Sequence, residues 1–193
     1  MSAWIKMVSD EEADEHLRAV FDRVRTPHGT VDNVMRVHSL RPHTMDGHVS
    51  LYRSVLHNPE NTLPLWFLEA VASYTSLLNR CQYSLTHHWA NCRRLLPEPA
   101  RAGEIFEALE SDAPERAFGG RELALLRYAR KLTVAVGEMA REDVAALREA
   151  GCEDGEILEV NQVCAYFNYS NRLLNGLGVS SEGDVVGYYA ERE

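Results

Sequence analysis

Apolar residues recur at helical spacing along almost the whole chain, and this constrains the fold more than any other feature. Over residues 9–25, Ala13, Leu17, Val20, Phe21 and Val24 repeat three or four apart, and Ser9 with Glu12 reads as a capping box. A second helix is expected over 43–57, with Met45, Val49, Tyr52 and Val55 or Leu56 inward and Asn58-Pro59 ending it. Thr62 reads as the N-cap of a third, with Pro64 in its first turn and Leu65, Leu68, Val71, Ala72 and Thr75 on its apolar face. Asn79 is expected to break that helix and cap a fourth over 80–96, which Pro97 and Pro99 close. Further helices are expected over 100–109, 121–135, 141–150 (before Gly151) and 156–174, with a loop over 110–120. There is no convincing strand ladder. The expectation is one all-α domain over 1–193. It has N-terminal helices over 9–57, a core over 62–110 and a helical half over 121–178, more than a simple four-helix bundle.

Composition excludes some functions. The net charge of −9 argues against non-specific nucleic-acid binding, which needs a basic face. Residues 160–171, among the longest stretches free of charge, fall well short of the roughly 18 apolar residues of a membrane span. The N-terminus lacks an apolar signal core, so a cytoplasmic protein is expected. Cys81, Cys92, Cys152 and Cys164 form no CxxC pair and match no structural zinc site. All eight histidines fall between residues 16 and 88.

One constellation carries chemistry. Glu69 is the single charge in the apolar stretch 63–78, where it borders the stripe of 65, 68, 72 and 75. It is either solvated at a helix boundary or buried with a partner. In the fourth helix Cys81, Ser84, His88 and Cys92 are spaced three, four and four, which puts them on one face. Cys81 falls in the first turn, where the helix dipole favours a thiolate. Ser84 and His88 are one turn apart, within hydrogen-bonding reach. Cys92 reads as a core residue, and His87 as solvated. Cys81 and Cys92 would lie about 16 Å apart along a helix, too far for a disulfide.

The spacing Glu69, Cys81, Ser84, His88 resembles the E-x11-C-x2-C-x3-H motif of the AhpD-like alkylhydroperoxidases of the carboxymuconolactone decarboxylase superfamily. The run from Ser76 to His88 is similar to that of its subfamily of uncharacterised peroxidase-related enzymes. So are Val37-His-Ser-Leu-Arg-Pro42, the stretch from Leu147 to Gly151, and that from Ile157 to Arg172. The resemblance implies an AhpD-like all-helical fold and a homo-oligomer. It implies that Glu69 and His88 form a proton relay and that Cys81 matches the first cysteine. The family's attacking cysteine is replaced by Ser84, which cannot form a sulfenic acid or a disulfide.

The catalytic candidates are thus Glu69, Cys81, Ser84 and His88, acting on a small-molecule substrate with no cofactor. The leading expectation is a peroxidase-related oxidoreductase working through Cys81 alone, with an external resolving thiol. The alternative is an acid–base enzyme in which His88 moves a proton, Glu69 orients it and Ser84 binds substrate. A non-catalytic relative is a third reading. A metal held by Glu69, Cys81, His87 and His88, with help from His38, His43 or His48, is a weaker fourth. Tyr83, Asn79, Asn168, Asn171 and Arg172 are candidate pocket residues.

Overall fold

The computed structural model describes residues 2–188, and among them the regular structure is entirely helical. At its centre lies α4 (Leu65–Leu78), numbered in chain order. Every residue from Phe67 to Ser76 is buried, so the helix has no solvent face. Two helices of the C-terminal half, α7 (Gly120–Val134) and α9 (Asp154–Leu177), pack against it, as does α5 (Gln82–Leu95). Two of the buried hydroxyls of α4 bond the helix's own backbone. Ser73 Oγ donates to the Glu69 carbonyl and Ser76 Oγ lies 2.8 Å from that of Ala72. Full burial of Phe67 and Leu68 contributes about 1.5–3 kcal/mol each.

The turn from α4 into α5 positions the motif. Asn79 ends α4, Arg80 takes a left-handed conformation (φ 52°), and the Cys81 N–H bonds the Ser76 carbonyl at 2.9 Å. This six-to-one closure is a Schellman turn with arginine where glycine is usual, costing roughly 1–2 kcal/mol. Cys81 therefore stands at the N-cap of α5, just outside the first helical turn, and Asn79 does not cap that helix.

The N-terminal part forms its own apolar layer. α1 (Glu15–Val24) and α3 (Pro42–Leu56) pack around Phe21, Met35 and Met45, with the short α2 (Asn33–Arg36) between them in sequence. The Ser9–Glu12 capping box forms, with both bonds at 3.3 Å, but it closes only a turn. The helix starts later because the Asp14 carboxylate accepts the Leu17 N–H at 2.8 Å. Thr62 does not cap α4 either, since Pro64 holds that place. The Thr62 N–H and hydroxyl both go to Glu159.

α6 (Ala102–Glu110) and α8 (Arg141–Glu149) flank the C-terminal half. α9 ends at Gly178 (φ 60°). The chain then runs back beside its beginning: Trp4 N–H bonds the Leu177 carbonyl and Ser180 N–H that of Ser2. Residues 184–188 lie against α5. No helix among the described residues is long and apolar enough to cross a membrane.

Candidate active site

Glu69 is fully buried, and both of its carboxylate oxygens are engaged from α5. His88 Nδ1 lies 2.7 Å from Oε2, and Asn91 Nδ2 donates to Oε1 at 3.0 Å. Asn91 cannot be reversed, because its Oδ1 accepts the Tyr188 N–H at 2.7 Å. With Nδ1–H committed to the carboxylate, Nε2 of His88 carries the lone pair. The ring is braced edge-on against Phe167 at 4.5 Å. Asn91 went unnoticed in the sequence. Its position three residues after His88, on the same face, was the available signal.

His88 lines a cavity of about 60 Å³. Its walls include Ser84, His87, Tyr52, Tyr166 and Tyr188. The surroundings are aromatic and mildly polar, which suits a small organic molecule better than an ion.

The remaining motif residues are placed differently from expectation. Ser84 lies on the cavity wall, but its hydroxyl pairs with Ser76 Oγ at 2.9 Å and not with His88. Cys81 is 1 % exposed, packed with Val37, Leu174 and Val179 and absent from the cavity wall. Burial pushes its thiol above the ordinary range, outweighing the helix-start N–H groups of Ser84 and Tyr83 that pull it down. A thiolate at Cys81 is therefore not favoured.

Cys92 is core, its Sγ donating to the Trp66 carbonyl at 3.4 Å. Cys152 and Cys164 are buried in the main core, and all four cysteines are free.

His87 is not solvated. It is buried and stacked on Tyr83 with ring centroids 4.8 Å apart, and its Nδ1 accepts the Gly187 N–H. Desolvation, with His88 adding, lowers its pKa to about 4. Tyr83 reaches the segment after α9: its hydroxyl donates to Asp184 at 2.6 Å and accepts the Val34 N–H. Asp184 faces Asp32 on the cavity wall. Burial, with Asp184 adding, raises the Asp32 carboxyl to about 7.

Asn79, Asn168 and Asn171 brace α4 against α9 through bonds such as Asn79 Nδ2 to Asn168 Oδ1 (3.1 Å) and do not line the cavity. Arg172 is exposed and bonds Asn168. Among the described residues no group of His, Cys, Asp or Glu side chains is arranged to hold a metal.

No protein-family model and no curated protein matches the chain. Solved structures do. An alkylhydroperoxidase AhpD core, an uncharacterised peroxidase-related protein from Ralstonia eutropha, superposes with a TM-score of 0.80 at 22% identity, covering 95% of this chain and 94% of that one. An uncharacterised peroxidase-related protein from a Silicibacter species gives 0.80 at 22%, covering 98% and 95%. The debrominase Bmp8 gives 0.73 at 15%, covering 95% and 92%. The fold of this chain is the all-α, multi-helix fold of the AhpD-like proteins.

Proposed function

We propose that this protein is an acid–base enzyme that moves a proton on a small, largely apolar organic molecule, with His88 as the base and Glu69 as its buried anchor. The observation that carries this reading is the 2.7 Å bond from His88 Nδ1 to a fully buried Glu69, which leaves Nε2 for the cavity that His88 lines. Proton abstraction from carbon by a positioned imidazole is worth about 10²–10⁴-fold. The aromatic walls and small volume favour an uncharged planar molecule. A variant of the debrominase Bmp8 has been solved in complex with 2,3,4-tribromopyrrole, which suggests the size class.

The single-cysteine peroxidase reading ranks second. It needs a thiolate at Cys81 that peroxide can reach, and that thiol is buried, raised in pKa and off the cavity wall. Homo-oligomerisation rests on the resemblance alone. Light scattering tests it.

The test has two arms. In D₂O, small ketones, lactones and halogenated pyrroles are followed by NMR for deuterium uptake at carbon. Wild type is expected to catalyse uptake into at least one of them, His88→Gln to abolish it, and thiol alkylation to leave it unchanged. In parallel, hydrogen peroxide and cumene hydroperoxide are offered with dithiothreitol to wild type, Cys81→Ala and Ser84→Cys. Peroxide turnover by wild type that Cys81→Ala removes would transfer the assignment to the thiol.

A further inference from the structure

A second chain of polar groups starts on the wall of the cavity that His88 lines and runs to the surface. Tyr166 lines the cavity, and its hydroxyl lies 2.6 Å from His48 Nε2. His48 Nδ1 lies 2.9 Å from His38 Nε2, and His38 Nδ1 lies 2.8 Å from Thr44 Oγ1. Thr44 is exposed and donates to the Arg41 carbonyl at 2.8 Å. Tyr166, His48 and His38 are all buried.

The direction of every bond follows from the outer end. Thr44 spends its hydrogen on Arg41, so it accepts from His38 Nδ1–H. His38 Nε2 then accepts from His48 Nδ1–H, and His48 Nε2 accepts from the Tyr166 hydroxyl. Every hydrogen in the chain points outward, which leaves the Tyr166 oxygen as an acceptor, with the Ser170 side chain, also on the cavity wall, hydrogen-bonded to it. The chain begins on a cavity wall and ends at an exposed residue.

We infer that Tyr166, His48, His38 and Thr44 form a proton wire that drains to solvent the proton taken up by His88 and lets its replacement in. The inference rests on the acid–base reading above. The imidazolium at His88 gives up its Nε2 proton through a cavity water or a substrate heteroatom to the Tyr166 oxygen. Tyr166 passes its own hydrogen to His48 Nε2, His48 passes that of Nδ1 to His38 Nε2, and His38 passes that of Nδ1 to Thr44, whose own hydrogen leaves the Arg41 carbonyl and goes to solvent at this exposed residue. His88 ends neutral, and no member of the wire ends charged. Each has exchanged one hydrogen position for another. The wire now points inward, so the next proton travels from water to the cavity. Concerted transfer suits this setting, because burial lowers the pKa of His48 to about 3 and so disfavours a charged intermediate there. In the sequence His38 and His48 stand only as possible metal ligands. This wire is a different use for them.

The test uses the carbon acid that wild type deuterates fastest. Tyr166→Phe removes only the hydroxyl. His48→Gln offers an amide N–H toward His38 and an amide oxygen toward Tyr166 but cannot exchange tautomers. Both are expected to slow deuterium uptake about 10- to 100-fold, with KM within about threefold, His48→Gln melting near wild type, and a multi-proton solvent isotope effect reduced to that of one proton. Nitrogen-15 NMR of labelled histidine is expected to find His38 and His48 neutral and protonated on Nδ1. Wild-type uptake rates in both variants, or a proton on His48 Nε2 in the resting protein, would overturn the wire. If His88→Gln alone abolishes uptake, the acid–base reading stands and the wire fails. If wild type deuterates nothing, both fail together.

Discussion

Replacing Glu69 by glutamine removes one charge and changes almost no volume, yet the surroundings dictate a specific response. The carboxylate accepts from His88 Nδ1–H and from the Asn91 amide. Asn91 is held in place by the Tyr188 N–H, so its donor must still be met. The glutamine oxygen therefore turns to Asn91, and its amide nitrogen faces His88. The imidazole avoids a donor–donor contact only by moving its proton to Nε2, where the lone pair of the base had been. Two hydrogen bonds to a charged acceptor become two neutral ones, a loss of about 1 kcal/mol each and roughly 2 kcal/mol together. For a chain of this length that lowers the melting temperature by about 4–8 °C. Deuterium uptake is expected to fall about 10²–10⁴-fold, because the base has been turned away. Glu69→Ala, which leaves both donors bare and buried, is expected to cost more, about 3–5 kcal/mol. Calorimetry reads the stability, nitrogen-15 NMR of His88 reads the tautomer, and the uptake assay reads the chemistry. If Glu69→Gln keeps the proton on Nδ1 and the wild-type uptake rate, the carboxylate does not set the polarity of His88.

Three further outcomes are expected. Cys81 is buried with a raised pKa, so Ellman's reagent should label it in the native protein more than about tenfold more slowly than in urea. Equal rates would revive a reactive thiol. Asp32 has a folded pKa raised from 3.8 to about 7, so the folded state binds the extra proton between those values and loses that stabilisation as pH rises through 7. Asp32→Asn should therefore become more stable relative to wild type from pH 4 to pH 8 in urea melts, and a gap that is flat or narrows with pH would contradict it. A Cβ at Gly178 would sit 2.2 Å from the Trp4 ring, at a φ of +60°. Gly178→Ala should cost about 1–3 kcal/mol and displace Trp4, read as a shift in its fluorescence.

Much of the fold was legible because helical periodicity and breakers are local signals. α3, α7 and α8 lie within a residue or so of their expected bounds. Errors arose where side chains act across space. Thr62 has the chemistry of a cap, but Glu159 on α9 claims it. Arg80 adopts the backbone of a glycine, which no residue preference announces. At the site, Glu69 and His88 were expected together and are together. Ser84 and Cys81 share the predicted face, but sharing a face does not fix which groups pair or what burial does to a thiol. His87 looked solvated because nothing near it in sequence reveals that residues 184–187 return to cover it.

Because α4 is enclosed on every side, its amides should be among the slowest in the molecule to exchange with solvent. The carboxylate it bears is held by the least yielding part of the chain. Parts of the cavity's other walls come from segments that touch water, including the C-terminal stretch that carries Tyr188. Side-chain substitutions there that keep the Tyr188 N–H on Asn91 can reshape what fits without removing the base or its anchor. An AhpD-like scaffold arranged in this way can change its substrate by altering its periphery, and selection or directed evolution for a new one should find its first useful changes at those walls and not on the central helix.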